Sequence, residues 1–180
     1  MNDARISRSG DDAATLRALH AGPGMLVLPN AWDAASARAF AAAGFPALAT
    51  TSGGVSNALG YEDQQQAPVE AMLAAAERII SSVSIPVSVD FEAGYSLGPE
   101  EIVRRLVAVG AAGLNFEDSD HVHGGLVDAE SQADRIAATI ASIQGVQGVE
   151  TVVVVDDGST DGTAEIATAA GAIVVRHPQN

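Results

Sequence analysis

The sequence predicts an α/β fold in which parallel strands alternate with helices. Short apolar runs recur between amphipathic segments along all 180 residues, and many of the runs end at small or acidic residues. The composition is 47% hydrophobic but only 4% aromatic, with abundant alanine and glycine, which suits close packing of helices on a sheet. The length is enough for one well-buried domain and short for two.

Six apolar runs are the predicted strands, at 25–28, 47–50, 86–90, 113–117, 152–155 and 173–175. The first run ends at Pro29, and the second precedes a long polar segment over 51–67, which predicts a loop. The third and fourth runs contain or lead into acidic residues, and the fifth is four valines followed by two aspartates. Runs of this length with turn residues beside them are typical of strands in a parallel sheet.

Six helices are predicted between these strands, at 12–20, 33–43, 68–82, 99–110, 128–143 and 162–170. Gly44 fits the position after a helix end, and Pro68 fits a first helical position. Pro99 is followed by two glutamates, which the helix dipole favours in a first turn. Asp128 and Asp161 are predicted N-caps. The alternation of strand and helix predicts βα units around a parallel sheet.

The composition excludes several classes of function. A net charge of −14 disfavours nucleic acid and anionic membrane surfaces as partners. The chain has no cysteine, which excludes disulfides and thiolate chemistry, and all its basic residues other than histidine are arginines. Without lysine, a Schiff base has no side-chain amine to use. No apolar run approaches the ~20 residues of a membrane span, so we expect a cytoplasmic protein.

Carboxylates follow most of the predicted strands. Asp90 and Glu92 come at the end of the third strand, and Glu117 ends the fourth. Because functional groups of βα arrays gather at the carboxyl ends of the strands, these acids are expected to share one rim. Helix capping is the simpler explanation for any single acid. For the three together, a Mg²⁺ or substrate site is the better interpretation.

Three other features have weaker signals. The segment Thr51–Gly54 offers small side chains and backbone N–H groups that can bind an anion. His121 and His123 could bind metal or transfer protons, although the neighbouring glycines favour a mobile polar loop. Trp32 could line a pocket, but core packing is the simpler expectation for a single tryptophan.

Three stretches carry a resemblance to a known family: LVLPNAWDAASARAFAAAGFPALATTSGGVSNALGYED, SVDFEAGY and GLNFEDSDHVHGGLVDAESQADRIA. Over about residues 12–143 the chain closely resembles the isocitrate lyase/phosphoenolpyruvate mutase family. The resemblance implies a (β/α)₈-type barrel. It also implies that C–C or P–C bonds of a small 2-oxo or related carboxylic acid are made or broken through an enolate stabilised by Mg²⁺, with Mn²⁺ as an alternative.

The resemblance also implies roles for particular residues. Asp90 resembles the principal metal ligand and a substrate contact, with Glu92 and Glu117 supporting the ion directly or through water. Asp63 resembles a loop acid that faces metal and substrate, so Asp63 and Glu117 are the implied catalytic groups. The implied substrate-binding residues are Trp32, Ser52, Gly53, Gly54 and Asp90.

The chain departs from the family after residue 143. The cysteine loop of true isocitrate lyases is missing, and no Asn-Ala-Arg segment supplies the family's substrate-clamping arginine. The last part of the chain reads VVVVDDGSTDGTAEIATAAGAIVVRHPQN. With this stretch, residues 150–180 resemble the nucleotide-binding start of a family 2 glycosyltransferase. We therefore expect two segments, 1–145 and 146–180, with the second docked beside the fourth strand.

A closed eight-stranded barrel needs about 250 residues, so the expected architecture is a partial barrel or open twisted sheet. Its open edges predict a homo-oligomer. Two alternatives to a lyase or mutase stay open. One is a catalytically inactive scaffold built from two compatible fragments. The other is a nucleotide-sugar binder that uses Asp156 and Asp157, although these acids more simply form a capped turn.

Overall fold

The computed structural model describes residues 3–146, 149, 151–156, 158–160 and 162–176. The elements in chain order are α1 (Asp3–His20), β1 (Asn30–Ala31), α2 (Ala34–Ala42), β2 (Leu48–Thr50), α3 (Ser52–Leu59), α4 (Val69–Ser81), β3 (Val87–Asp90), α5 (Pro99–Val109), β4 (Gly113–Asn115), α6 (Ala129–Gln144), β5 (Val153–Asp156), α7 (Thr163–Ala169) and β6 (Ile173–Arg176). Strands β1 to β4 form one parallel sheet in sequential order. The predicted open parallel α/β fold is confirmed.

The main core lies between the central strands and helices α2 to α5. Leu48 of β2 and Val87 and Val89 of β3 are almost fully buried. They belong to one apolar cluster with Ile79 of α4 and Ile102 of α5. Strand β3 is buried at every position except Asp90 at its end, as expected for a strand covered on both faces. The packing therefore fixes the strand ends that carry the acidic residues.

Local signals explain where several helices begin and end. Asp33 caps α2 in a reciprocal capping box with Ser36. The carboxylate of Asp128 accepts the Ser131 N–H at 3.0 Å and caps α6, as predicted. Gly44 follows α2 with a φ of 92°, a conformation that glycine adopts without strain. The predicted cap Asp161 lies outside the described residues.

The first strand differs from its prediction. The apolar run at 25–28 is not a strand, because Met25 is 92% exposed and Val27 is 52% exposed. Only Asn30 and Ala31 pair with β2. The pairing with β2 therefore begins at Asn30, after the apolar run has ended.

The predicted loop over 51–67 contains helix α3. Thr51 caps this helix, since its Oγ1 accepts the Gly54 N–H at 3.3 Å. Gly60 ends it in the left-handed conformation. The glycine pair therefore lies in the first turn of a helix, and its conformational cost is met by the cap and by packing on α4.

Strands β5 and β6 form a separate parallel sheet of two strands. The expectation that this segment docks beside the fourth strand on one sheet is therefore wrong for the described residues. Its strands pack on α6 and α7, in a second apolar cluster that contains Ile140, Val152, Ala167 and Ala172. Burial on α6 takes the place of pairing with the short strand β4. The boundary predicted between 145 and 146 stays a prediction.

No helix in the described part of the chain is both long and apolar enough to cross a membrane.

Candidate functional site

Asp90 lies at the carboxyl end of β3, between the neighbouring strands β2 and β4. Its Oδ2 accepts the Ser52 N–H at 2.8 Å, and its Oδ1 accepts the Glu92 N–H at 3.3 Å. Its own N–H donates to Thr50 Oγ1 at 2.9 Å. Hydrogen bonds to the ends of two neighbouring strands therefore fix the carboxylate at the rim predicted from the sequence.

Glu92 is the most buried acid of this rim, with only 2% of its surface exposed. The Tyr95 hydroxyl donates to Glu92 Oε1, and the Gln65 N–H donates to Oε2 at 2.8 Å. Burial raises the pKa of the Glu92 carboxyl, the two hydrogen bonds oppose this rise, and the Asp63 charge adds to it. Glu92 thus ties the loop that carries Asp63 to the end of β3.

The loop after β3 has an unusual backbone. Glu92, Tyr95 and Ser96 all have positive φ values, between 47° and 57°, although none is glycine. Arg135 of α6 donates to the Ala93 carbonyl at 2.6 Å and so helps to hold this loop. Residues kept in sparsely populated conformations by their surroundings concentrate at functional sites.

The Tyr95 hydroxyl is a hydrogen-bond donor to Glu92. Burial raises the pKa of its phenol, and the hydrogen bond to Glu92 and the charges of Asp90 and Asp63 raise it further. The hydroxyl therefore stays protonated and keeps its hydrogen on Glu92. The sequence pattern did not indicate Tyr95, because its hydrogen bond to Glu92 depends on the backbone conformation of the loop.

Glu117 and Glu92 are linked by a backbone hydrogen bond, and the imidazole of His121 lies near both carboxylates. The Glu117 N–H donates to the Glu92 carbonyl at 2.9 Å, which continues the β3–β4 ladder. His121 Nε2 lies 3.9 Å from Glu92 Oε2 and 3.8 Å from Glu117 Oε2. The imidazole therefore stands between two of the predicted site acids.

The loop that carries His121 is ordered by its own hydrogen bonds. Asp120 accepts the N–H groups of Val122 and His123 at 3.0 and 2.9 Å. An antiparallel bridge joins Ser119 to Leu126 across the loop. From the sequence, His121 was a candidate for metal binding or proton transfer, but a mobile polar loop was the favoured interpretation. The spacing of four residues between His121 and Glu117 was the available signal, and it is a weak one.

The predicted anion-binding segment lies beside Asp90 but has fewer donors than expected. Of its four N–H groups, that of Thr51 donates to the Ala31 carbonyl, that of Ser52 to Asp90 and that of Gly54 to Thr51 Oγ1. A Cβ added to Gly53 would lie 2.8 Å from Asp63 Oδ2, so Asp63 packs directly against the helix start. Glycine at position 53 is what permits this close approach.

Trp32 also reaches this segment. Its Cβ would lie 3.0 Å from a Cβ added to Gly54, and 46% of the residue is exposed. Trp32 is thus not a core residue, and its position beside Gly54 suits a residue that lines the site. The structure places the predicted site residues at one rim, namely Trp32, Ser52, Gly53, Gly54, Asp63, Asp90, Glu92 and Glu117.

The donor set suits a magnesium ion in one arrangement only. Carboxylate oxygens are the ligands that Mg²⁺ prefers. No group of three or more histidine, aspartate or glutamate side chains in the described residues is placed to hold a metal ion directly. Three direct ligands therefore do not fit. Mg²⁺ usually keeps several waters, so one direct carboxylate with others acting through water does fit.

Asp156 belongs to the alternative nucleotide-sugar site. Its carboxylate contacts residues of the same C-terminal segment. It is 2% exposed, its Oδ1 accepts the Ser159 N–H at 2.9 Å, and its Oδ2 lies 3.2 Å from Arg176 Nε. The hydrogen bonds from Ser159 and the Arg176 charge lower the pKa of this carboxyl. These contacts favour a structural turn. Asp157 lies outside the described residues.

The chain belongs to the phosphoenolpyruvate phosphomutase family, whose profile matches residues 16–155. The match extends past the boundary predicted at 145 and into β5. The predicted resemblance of residues 150–180 to a glycosyltransferase finds no support in these comparisons.

Individual relatives agree with this assignment. An uncharacterized protein of Mycobacterium tuberculosis is 42% identical over 112 residues, which are 62% of this chain and 42% of the relative. The chain therefore corresponds to less than half the length of that curated relative. A Burkholderia cenocepacia structure provisionally assigned as a phosphonomutase has a TM-score of 0.80 and 34% identity, over 94% of this chain and 76% of that one.

A second solved structure belongs to a lyase. 2,3-Dimethylmalate lyase, a member of the PEP mutase/isocitrate lyase superfamily, has a TM-score of 0.73 and 28% identity, over 91% of this chain and 62% of that one.

Proposed function

We propose that this chain carries the site of a Mg²⁺-dependent lyase or mutase that acts on a small 2-oxo or related carboxylic acid. The observation that supports the proposal is the position of Asp90, Glu92 and Glu117 directly after the adjacent strands β3 and β4 in a member of this family. Four carboxylates at one rim repel one another unless a cation or a bound group compensates them.

Asp90 is the proposed direct ligand, because it is half-buried at the centre of the rim and its orientation is fixed from both sides. Glu92 and Glu117 are proposed to act through water, since Glu92 already accepts a hydrogen bond at each oxygen. A bound Mg²⁺ or Mn²⁺ would supply stabilisation of negative charge on the reacting acid.

The remaining residues bind and orient the substrate. Trp32 is the proposed wall, and the α3 start at Ser52, Gly53 and Gly54 is the proposed floor. Asp63 is held there against Gly53 and faces the same rim. Asp63 and Glu117 are the proposed groups that accept or return a proton, because both are carboxylates of this rim and neither is the proposed direct ligand of the ion.

The test combines metal binding with turnover. Purified protein is assayed with phosphonopyruvate, oxaloacetate and methylisocitrate-like acids with and without Mg²⁺, and Mg²⁺ binding is measured by calorimetry. Asp90→Asn should weaken Mg²⁺ binding by about tenfold to a hundredfold or more, and turnover should cease with EDTA. The matched control is Asp128→Asn, which removes one charge but keeps a good N-cap.

Two outcomes would decide against the proposal. Equal Mg²⁺ binding by the wild type and Asp90→Asn contradicts the metal assignment. A folded protein that gives no heat with Mg²⁺ and any of these acids supports the inactive scaffold instead.

We also propose that the chain self-associates. In the described part, β1 and β4 are outer strands of the four-stranded sheet, and unpaired outer edges are commonly covered by another chain. Sedimentation of the purified protein at several concentrations would show a mass above that of one chain, and a single-chain mass throughout would contradict it.

A further inference from the structure

Arg135 of α6 contacts both segments that follow β3 and β4. Its Nη2 donates to the Ala93 carbonyl at 2.6 Å, and its Cζ lies 4.5 Å from the centre of the Phe116 ring. Ala93 follows Glu92 directly in the chain. Phe116 precedes Glu117 in the same way. The guanidinium therefore contacts the chain neighbours of two acids of the rim.

Gln132, one turn earlier on α6, extends these contacts. Its side-chain oxygen accepts from Arg135 Nη1 at 2.8 Å, and its Nε2 donates to the Glu117 carbonyl at 3.4 Å. Gln132 itself is 9% exposed. Both terminal nitrogens of the guanidinium thus donate to groups of the protein. Any effect of Arg135 on the rim therefore passes through the residues that it contacts.

The partners that the structure shows for this cation are all neutral. They are a backbone carbonyl, a side-chain amide and an aromatic ring. Burial lowers the pKa of the Arg135 guanidinium, which shows that part of its hydration is lost. A charge removed from water is costly unless hydrogen bonds compensate it, and bonds from a charged donor are the strong ones. The hydrogen bond to the loop is what distinguishes Arg135 from an apolar residue that could fill the same space.

The loop that Arg135 binds has a conformation that its surroundings must maintain. Glu92 and Tyr95 have φ values of 47° and 54°, and non-glycine residues persist in such conformations only where contacts hold them. A Cβ added to Gly94 would lie 3.0 Å from Phe116 Cε2, so the ring under the guanidinium also packs against this loop. Without Arg135, the loop would lose the contact that joins it to α6 and to the residue after β4.

We propose that Arg135 is a positioning residue that holds the loop carrying Glu92 against the end of β4, and that the resulting separation of Glu92 and Glu117 sets the affinity of the rim for a divalent ion. The part on ion affinity rests on the proposed function of the site. The part on the loop concerns this chain alone.

The first measurement uses the metal-free protein. The Glu117 N–H donates to the Glu92 carbonyl at 2.9 Å, so its hydrogen exchange, followed by NMR, reports whether the loop and β4 stay together. Arg135→Met keeps a long side chain over the ring but donates no hydrogen bond, and Arg135→Lys keeps the charge and a donor. Exchange at Glu117 should be about tenfold faster than in the wild type for Arg135→Met and near the wild-type rate for Arg135→Lys.

A second amide in the same sample separates positioning from general stability. The Leu48 N–H donates to the Pro86 carbonyl in the central part of the sheet, away from α6. Its exchange should be unchanged in Arg135→Met. A merely structural role would lower the stability of the whole sheet and accelerate exchange at Leu48 and Glu117 alike.

The second measurement is Mg²⁺ binding by calorimetry, at a temperature where circular dichroism shows each variant folded. Arg135→Met should bind Mg²⁺ about tenfold more weakly than the wild type, and Arg135→Lys should recover most of this loss. Arg104→Ala is the matched control, because Arg104 lies on α5, its side chain is 56% exposed and its partner is Glu101. It should keep the exchange rates and the Mg²⁺ affinity of the wild type.

Equal exchange at Glu117 in the wild type and Arg135→Met, or equal acceleration at Leu48, would overturn the part on the loop. Unchanged Mg²⁺ affinity in Arg135→Met would overturn the part on ion affinity. If Arg135→Met does not fold, Gln132→Ala decides, because it removes the amide that bonds to the guanidinium and to the Glu117 carbonyl. It should accelerate exchange at Glu117 and weaken Mg²⁺ binding more than Arg104→Ala does, and no difference would overturn the inference.

These measurements also separate this inference from the proposed function. A wild type that binds no Mg²⁺ contradicts the proposed function and the part on ion affinity, whereas the exchange rates still decide the part on the loop. Mg²⁺ binding that is weakened in Asp90→Asn but unchanged in Arg135→Met contradicts only the role of Arg135.

Discussion

Replacing Tyr95 with phenylalanine removes one hydroxyl from the most buried part of the site. The ring would keep its contact with Phe91, whose centroid lies 5.1 Å away, so packing is conserved. The lost hydrogen bond joins a phenol to a carboxylate that is only 2% exposed. Hydrogen bonds to charged groups contribute about 1.5–3 kcal/mol, and we expect the free energy of unfolding to fall by about that amount.

The assay is urea unfolding followed by circular dichroism, for Tyr95→Phe and for the control Tyr61→Phe. Tyr61 is 40% exposed, and its change should alter stability by less than about 0.5 kcal/mol. The pKa of Glu92 should also rise in Tyr95→Phe, since the hydroxyl is the strongest of the hydrogen bonds that lower it. Equal stability of Tyr95→Phe and the wild type would refute the view that this bond holds Glu92.

Three further predictions concern the same region and the surface. Gly53→Ala should leave stability unchanged or raise it by up to about 1 kcal/mol but weaken substrate binding, because its Cβ displaces Asp63; thermal unfolding and calorimetry test this. Gly94 has a φ of 84°, and a Cβ added there would lie 2.6 Å from Ile102 Cδ1, whereas a Cβ added to Gly124 meets open space. Gly94→Ala should therefore lower the free energy of unfolding in urea more than Gly124→Ala does. Hydrogen bonds from Arg104 and Arg105 lower the pKa of Glu101 to about 2, below its ordinary 4.5. The stability from this pairing should persist above pH 4.5 and disappear as the pH falls through about 2, which carboxyl NMR titration tests; a midpoint near 4.5 would contradict it.

The order of strands and helices, apart from helix α3 and the position of β1, was predictable because each βα unit carries local signals. Glycine and proline mark the helix ends, and Asp128 caps α6 as its sequence position indicates. The acids of the rim were also predictable, since parallel strands bring their carboxyl ends to one edge. Asp90 and Glu92 at the end of β3 and Glu117 just after β4 lie at that edge for this reason, and their shared role in a site stays a prediction.

The remaining features depend on contacts between distant residues. Nothing local shows that Met25 is exposed or that β5 packs on α6 instead of pairing beside β4. The role of Tyr95 depends on positive φ values in the loop after β3. Such values are expected from sequence only at glycine, and these residues are not glycine. The position of His121 depends on a loop closed by Asp120, which resembles any polar loop in sequence.

The most direct test of the account is the position of a bound ion. Crystals grown with Mn²⁺ would show its anomalous signal, and the account predicts one ion within about 2.3 Å of an oxygen of Asp90, with Glu92 and Glu117 reached through water. An ion bound elsewhere, or no ion at the rim at saturating Mn²⁺, would contradict it.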